Sequence, residues 1–225
     1  MWLLIDADDT LWENSIYFDR AFEEFVELLG HSHLTAAEIR EVLDEIESER
    51  IRTHGYGSAN FGHNMQTCFQ RLVERHYNDL DLERVMELAS RIVNQPLELI
   101  NGVEETLAYL AGRHPLTLFS KGHSEEQHRK VQRSGLSRFF ETCRIVKEKD
   151  AGAYHQVVEE LNMDPAVTWM VGNSPKSDIN PALAAGLAAV LVPNQNTWSL
   201  EREALPAPSE RFRVVDRFSD LRQLF

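Results

Sequence analysis

Three features of the sequence predict an α/β fold: a Rossmann-like parallel sheet core with helices on both faces, plus an inserted α-helical domain. Beyond residue 100, short apolar runs alternate with amphipathic helical patterns, as in parallel sheets crossed by helices. Another apolar run, at residues 2–5, has the character of a strand buried on both faces. Between these regions, residues 14–95 follow helical periods and show no strand-like run.

The composition is that of an ordinary globular protein. The chain has 225 residues, 43% of them hydrophobic and 26% charged, enough for one α/β core and a smaller second domain. Its net charge of -13 argues against nucleic acid and anionic membranes as partners. Cys68 and Cys143 match no metal or disulfide spacing. Because the N-terminal apolar run is too short for a signal peptide, we expect a cytoplasmic protein.

The predicted insertion consists of several helices. Its first helix carries an apolar stripe at helical spacing, and a Glu-rich helix over 35–52 follows. A glycine-containing break at 54–58 precedes further helical patterns. The first stripe is formed by Phe18, Phe22, Phe25 and Leu29. We therefore expect a helical domain over 14–98 and a core domain formed by 1–13 and 99–225.

The predicted core elements follow in order. Asn101 and Glu104 have the spacing of an N-cap pair and predict the start of a helix. A polar helix is expected over 124–134, and Tyr154 with Val157 lies on the apolar face of another. The predicted strands after the first are 116–119, 143–146, 168–171, 188–192 and 212–215.

Polar residues directly after these apolar runs are the candidate site, because open parallel sheets bind ligands at the carboxyl ends of their strands. Asp6 and Asp8 follow the first run, and Ser120 follows the second. Lys147 or Lys149 follows the third, and the segment 173–178 follows the fourth. Acids, one hydroxyl and one lysine are the groups that metal-assisted phosphoryl transfer requires.

Each residue type has a chemical role in that reaction. A carboxylate such as Asp6 can attack phosphorus, and a divalent cation can offset its repulsion by the phosphate. Magnesium prefers oxygen ligands, which suits Asp6, the main-chain carbonyl of Asp8 and a distant carboxylate such as Asp178. Lys149 and the Ser120 hydroxyl can hold phosphoryl oxygens, and Asp8 can exchange protons with the leaving group and water.

The segment LLIDADDTLW resembles the first motif of the haloacid dehalogenase superfamily, an apolar strand followed by D-x-D-x-T. This resemblance implies that Asp6 is the nucleophile, that Asp8 is the acid/base, and that Thr10 steadies the loop that binds phosphate. The insertion after this motif matches the helical caps of that superfamily.

Three later segments resemble the remaining motifs in the right order. LTLFSKG places Ser120 at the phosphate-binding hydroxyl, and KEKDAGAY matches Lys149 better than Lys147 to the motif lysine. MVGNSPKSDINPALAAG places Asp178 at the metal carboxylate. Asn173 stands where many members carry a second aspartate; its amide oxygen can still ligate or orient a water, without charge.

The resemblance implies a magnesium-dependent phosphatase that cleaves a small phosphorylated metabolite through an aspartyl-phosphate. Asp6, Asp8, Asn173 and Asp178 are the expected metal residues, with Ser120, Lys149 and Thr10 at the phosphate. The alternatives are a phosphomutase on the same core, a haloacid dehalogenase, or an inactive phosphoester-binding module. Asp8 and Asp178 argue against a dehalogenase, which needs neither metal nor a second acid. The sequence leaves the substrate and the oligomeric state open.

Overall fold

The computed structural model describes residues 1–207 and 209–225, which form two compact units. Met1–Asn14 and Leu97–Phe225 make up one unit, called the core unit here. Ser15–Pro96 make up the other, called the helical unit. These bounds lie one or two residues from the domain limits expected from the sequence.

The core unit contains one sheet of six parallel strands, which confirms the predicted fold class. The order of the strands reverses beside the first strand, so the two halves of the sheet diverge there. Such a switch point opens a crevice at the carboxyl ends of the strands. The strands are β1 (Trp2–Ile5), β2 (Leu116–Lys121), β3 (Thr142–Val146), β4 (Thr168–Gly172), β5 (Ala188–Leu191) and β6 (Phe212–Val214), in the order β3-β2-β1-β4-β5-β6.

Helices of the core unit cover both faces of the sheet. Alternate residues of β1 point to opposite faces, as the two-residue period of a strand requires. Leu3 and Ile5 belong to one apolar cluster, and Leu4 belongs to another. All three are fully buried. This two-sided burial explains why β1 is an unbroken apolar run.

The helices of the core unit alternate with its strands. They are α5 (Val103–Ala111), α6 (Ser124–Ser134), α7 (Ala151–Glu160) and α8 (Asn180–Ala184), which we number after the four helices of the helical unit. The predicted N-cap pair is wrong, because Gly102, with φ 79°, caps α5 without a side-chain hydrogen bond. Glycine adopts this left-handed conformation without a Cβ clash.

The helical unit contains four α-helices around its own apolar core. The predicted apolar stripe of the first helix lies in this core: Phe25 is fully buried, and Phe22 and Leu29 nearly so. A capping box formed by Thr35 and Glu38 starts the second helix. The helices are α1 (Ser15–Leu29), α2 (Ala36–His54), α3 (Ser58–Leu72) and α4 (Asp79–Ser90). No helix in the described part of the chain is long and apolar enough to cross a membrane.

The helical unit contains a buried acid, Glu47. Glu47 on α2 is 6% exposed, and its Oε2 atom has no hydrogen-bond partner among the described residues. Nη2 of Arg40 lies 3.8 Å from this oxygen, too far for a hydrogen bond. Burial raises the pKa of Glu47 from 4.5 to about 7, against the opposing charge of Arg40.

We expect Glu47→Gln to stabilise the protein by about 2 kcal/mol at about pH 8 and to change little at about pH 4. The neutral acid favours the folded state below its unfolded pKa of 4.5, and this contribution is lost as the pH rises through about 7. Urea unfolding followed by helical circular dichroism measures both conditions. Glu49→Gln, at an exposed position of the same helix, is the control. A gain of equal size at both pH values would contradict this explanation.

Candidate active site

Asp6 lies at the carboxyl end of β1, in the centre of the sheet. Its backbone N–H donates to the carbonyl of Val171 at 2.9 Å, which continues the pairing with β4. The side chain is 7% exposed. Its Oδ1 accepts a hydrogen bond from Nζ of Lys149 at 2.6 Å, and its Oδ2 accepts one from the hydroxyl of Thr10 at 2.9 Å. Lys149 and Thr10 together therefore hold the Asp6 carboxylate in one orientation.

Lys149 joins Asp6 to Asp178, although the three residues come from distant parts of the chain. Its Nζ donates to Asp6 at 2.6 Å and to Oδ1 of Asp178 at 2.8 Å. Lys149 is 2% exposed and Asp178 is 1% exposed. Lys147 is exposed to solvent. Two carboxylates and one ammonium thus form a buried cluster at the switch point of the sheet, which we call the Asp-Lys-Asp cluster.

The loop after β4 approaches the strand closely and positions Asp178. Oδ2 of Asp178 accepts a hydrogen bond from the backbone N–H of Ser174 at 2.9 Å. A Cβ atom on Gly172 would lie 2.2 Å from this same oxygen, which is closer than real Cβ contacts come. Glycine at the end of β4 is therefore required for the observed position of Asp178.

Asn173 presents its amide oxygen toward the Asp6 loop. Its Nδ2 donates to the hydroxyl of Thr197 at 3.0 Å, and Thr197 in turn donates to the carbonyl of Asn194 at 2.9 Å. Because the Thr197 hydroxyl donates to Asn194, it must accept from the amide nitrogen of Asn173. The amide oxygen, Oδ1 of Asn173, therefore faces Thr10 at 3.3 Å. Asn173 is therefore held with its amide oxygen toward Thr10, which also contacts Asp6.

The side chains of Ser120 and Asp8 contact other residues of the core unit. Ser120, at the carboxyl end of β2, is 1% exposed, and its hydroxyl makes a long 3.5 Å hydrogen bond to the carbonyl of Lys121. The Asp8 side chain contacts α6, where Nζ of Lys130 lies 2.9 Å from both carboxylate oxygens. The structure therefore brings Asp6, Lys149, Asp178, Thr10 and Asn173 into one hydrogen-bonded group, and directs Asp8 toward α6.

Asp9 adopts an unusual backbone conformation in the loop after β1. Its φ is 59°, a left-handed conformation that glycine adopts freely and that aspartate tolerates better than most residues. Its Oδ1 accepts a hydrogen bond from the N–H of Asn14 at 2.9 Å, and its carbonyl accepts one from Nδ2 of Asn194 at 3.0 Å. These contacts stabilise the turn that carries Asp8 and Thr10.

The charges of the site shift the proton affinities of its groups. Burial and the charge of Asp178 raise the pKa of Asp6 to about 7, although Lys149 opposes them. Burial lowers the pKa of Lys149, but the charges of Asp178 and Asp6 outweigh burial and raise it above its usual value. Burial also raises the pKa of Asp8, but the Lys130 charge and hydrogen bonds from Lys130, Gln127 and Trp12 together bring it below its usual value.

These groups are chemically suited to magnesium. The buried carboxylates of Asp6 and Asp178 repel each other, which a cation between them would offset. Asn173 offers an oriented amide oxygen as a further ligand. No cluster of three or more His, Cys, Asp or Glu side chains suited to a metal occurs within residues 1–207 and 209–225. A site there would therefore combine two carboxylates with amide or main-chain oxygens and waters, which is typical of Mg²⁺.

The sequence reasoning missed several residues that support the site. Glu201 accepts hydrogen bonds from Nζ of Lys121 at 2.5 Å and from the hydroxyls of Ser174 at 2.6 Å and Ser177 at 2.5 Å. This buried network fixes the loop that carries Asp178. The missed residues are Gln127, Lys130, Thr197, Lys121 and Glu201, and the spacing of residues in the sequence contains no signal for their contacts.

One described family matches most of the chain, and a phosphatase is similar to it over nearly its whole length. The family described as haloacid dehalogenase-like hydrolase matches residues 1–186. A glyceraldehyde 3-phosphate phosphatase from Methanothermobacter thermautotrophicus is 24% identical, over 99% of this chain and 98% of that protein.

Solved structures share the fold over the whole chain. A haloacid dehalogenase-like family hydrolase from Xanthomonas campestris has a TM-score of 0.87 at 28% identity, covering 100% of this chain and 90% of that one. L-2-haloacid dehalogenase from Xanthobacter autotrophicus, with chloropropionic acid covalently bound, has a TM-score of 0.65 at 17% identity, covering 100% and 96%. Both phosphatases and dehalogenases are thus among the proteins similar to this chain.

Proposed function

The chain belongs to the haloacid dehalogenase-like hydrolases, and we propose that it is a magnesium-dependent phosphatase that uses Asp6 as its nucleophile. The observation that carries this proposal is the buried Asp-Lys-Asp cluster, in which Lys149 lies 2.6 Å from Asp6 and 2.8 Å from Asp178. A carboxylate nucleophile, a cation for phosphoryl oxygens and a second carboxylate for a metal are then adjacent at the switch point of the sheet.

The reaction has two steps on the Asp6 carboxylate. In the first, an Asp6 oxygen attacks phosphorus, the ester P–O bond breaks, and the leaving oxygen takes a proton from Asp8. In the second, Asp8 takes a proton from a water, which attacks the aspartyl-phosphate and releases inorganic phosphate and free Asp6. Lys149 and the Ser120 hydroxyl hold phosphoryl oxygens as charge develops on them, and Thr10 keeps Asp6 oriented.

Asp6, Asp178, Asn173 and the Asp8 carbonyl would hold Mg²⁺, which offsets the repulsion between the phosphate and the nucleophile when bound. Asn173 brings no charge, so the two carboxylates supply the negative charge of the site. Lys149 is proposed in preference to Lys147 because it is buried against both carboxylates, whereas Lys147 is exposed.

Phosphatase activity is favoured over dehalogenase activity by two residues. A dehalogenase forms an ester on aspartate without a metal or a second acid, whereas this chain keeps Asp178 in the cluster and Asp8 in the same loop as Asp6. The phosphatase that is 24% identical supports the same choice. We propose a small phosphorylated metabolite as substrate, with neither nucleic acid nor membrane as partner, and a cytoplasmic location consistent with two free thiols.

Turnover of the purified protein tests this function. We expect phosphate release from p-nitrophenyl phosphate and from a panel of phosphomonoesters that includes glyceraldehyde 3-phosphate, in Mg²⁺ and not in excess chelator. 2-Chloropropionate in the same assay should release no chloride. Equal phosphate release with and without chelator, or chloride release, would contradict the proposal.

A further inference from the structure

A segment that follows β5 contacts the loops that carry the proposed metal residues. Residues 194–201, called the 194–201 segment here, end in a short 3₁₀ turn at Ser199–Glu201. At the start of the segment, Nδ2 of Asn194 donates to the carbonyl of Asp9 at 3.0 Å. The segment is thereby attached to the loop after β1, which carries Asp6.

Thr197 attaches the segment to Asn173, in the loop after β4. The Thr197 hydroxyl accepts a hydrogen bond from Nδ2 of Asn173 at 3.0 Å and donates to the carbonyl of Asn194 at 2.9 Å. Thr197 is 9% exposed and Asn173 is 7% exposed, so water does not readily replace this contact. The amide oxygen of Asn173 keeps its direction because the nitrogen is engaged by the segment.

Glu201 attaches the segment to the end of β2 and to the turn before Asp178. Its Oε1 accepts from Nζ of Lys121 at 2.5 Å, and its Oε2 accepts from the hydroxyls of Ser174 at 2.6 Å and Ser177 at 2.5 Å. Glu201 is 8% exposed. Burial of a charged side chain is unfavourable unless the charge is paired and hydrogen-bonded, and this carboxylate is both.

The two serines connect Glu201 to the Asp178 carboxylate. The N–H of Ser177, which directly precedes Asp178, donates to the Ser174 hydroxyl at 2.9 Å. The N–H of Ser174 in turn donates to Oδ2 of Asp178 at 2.9 Å. Loss of the acceptor at Glu201 would release both serine hydroxyls and with them the turn that orients Asp178.

We propose that Glu201 and Thr197 are positioning residues, through which the 194–201 segment holds Asp178 and Asn173 in the arrangement that binds Mg²⁺. This inference rests on the magnesium site of the proposed function and extends it to residues that provide no ligand. Side chains that hydrogen-bond to metal ligands orient them, and their replacement typically lowers metal affinity by about 10- to 100-fold.

Mg²⁺ binding to the protein without substrate tests this role. We expect Glu201→Gln to raise the dissociation constant, measured by titration calorimetry, by about 10-fold. Glutamine has one acceptor oxygen and no charge, so it cannot serve Lys121 and both serines as the carboxylate does. The Mg²⁺ concentration for half-maximal turnover should rise by the same factor. In saturating Mg²⁺, kcat should stay close to the wild-type value, because Glu201 contacts no reacting group.

Two further variants complete the test. Thr197→Val keeps the shape of the side chain, removes the acceptor for Asn173 and should also raise the dissociation constant by about 10-fold. It provides an independent measurement should Glu201→Gln fold poorly. Glu203→Gln is the control, because Glu203 is exposed and glutamine can still accept the hydrogen bond from Nδ2 of Asn180. Its Mg²⁺ affinity should equal that of the wild type.

Amide hydrogen exchange of the metal-free protein provides a readout that does not depend on Mg²⁺. In Glu201→Gln, peptides that cover residues 172–180 should exchange faster than in the wild type, whereas peptides from the helical unit should not. Equal acceleration in both places would indicate a general structural defect and contradict a positioning role.

Wild-type Mg²⁺ affinity in a folded Glu201→Gln or Thr197→Val variant would overturn the proposal. If the wild type neither binds Mg²⁺ nor needs it for turnover, the proposed function is wrong, and the positioning role with it. If the wild type is a Mg²⁺-dependent phosphatase and a folded variant keeps its affinity, only the positioning role is wrong. If both variants bind Mg²⁺ weakly but the wild type hydrolyses no phosphoester, only the proposed function is wrong.

Discussion

Asp6→Asn is expected to lower kcat for p-nitrophenyl phosphate by at least about 10⁴-fold. Asparagine has nearly the same shape as aspartate, and its Oδ1 can still accept the hydrogen bond from Lys149 or Thr10. An amide oxygen is a far weaker nucleophile than a carboxylate, so the first step fails while the site stays folded. Steady-state kinetics with Mg²⁺, together with a thermal unfolding curve of the variant, measures the effect.

Asp9→Asn is the matched control for this variant. It makes the same chemical change in a buried acid of the same loop, 5% exposed. Asparagine tolerates the φ of 59° and can keep the hydrogen bond from the N–H of Asn14. We expect activity close to that of the wild type. A larger loss for Asp9→Asn than for Asp6→Asn would contradict the assignment of the nucleophile.

Lys149→Met is expected to affect both activity and stability. Loss of the ammonium removes a cation from the phosphoryl oxygens and should lower kcat by about 10³-fold. It also leaves the buried carboxylates of Asp6 and Asp178 without their common partner, which should cost about 3 kcal/mol at about pH 8. Urea unfolding and steady-state kinetics at several pH values measure the two effects.

The stability loss of Lys149→Met should depend on pH in a definite direction. Burial and Asp178 raise the pKa of Asp6, and Lys149 lowers it, so removal of Lys149 raises this pKa further. A carboxyl with a raised pKa favours folding below its unfolded pKa of 3.8, and this contribution is lost as the pH rises through the folded value. The deficit should therefore be small at about pH 4 and largest at about pH 8.

Lys147→Met is the control, because Lys147 is an exposed lysine two residues away. Its effect on stability should be within about 0.5 kcal/mol, and its activity should be unchanged. If Lys147→Met were inactive and Lys149→Met active, the lysine would be wrongly assigned.

The strands could be predicted closely because burial on both faces leaves a plain signal in the sequence. The predicted strand at 188–192 is Ala188–Leu191 in the structure, and the one at 116–119 is Leu116–Lys121; both are almost entirely buried. The start of α5 could not be predicted from the sequence. Asn101 and Glu104 have the residue types and spacing of a capping pair, but the N-cap residue is Gly102. Capping depends on the direction from which the chain enters the helix, which residue spacing alone does not specify.

The positions of Asp6 and Ser120 at the carboxyl edge of the sheet could be predicted, because each polar residue directly follows an apolar run in the sequence. The motif match already favoured Lys149 over Lys147, and the structure separates the two lysines by burial. The contact of Lys130 with Asp8 spans 122 residues and depends on how α6 lies against the first loop. Neither periodicity nor spacing contains that information.

Trapping of the covalent intermediate tests the central proposal most directly. A substrate with a radiolabelled phosphoryl group is mixed with the protein and Mg²⁺, quenched in acid during turnover, and digested with trypsin. We expect the label on the N-terminal peptide that ends at Arg20 and contains Asp6, with release by hydroxylamine as for an acyl phosphate. Label on another peptide, or none while phosphate is released rapidly, would contradict transfer to Asp6.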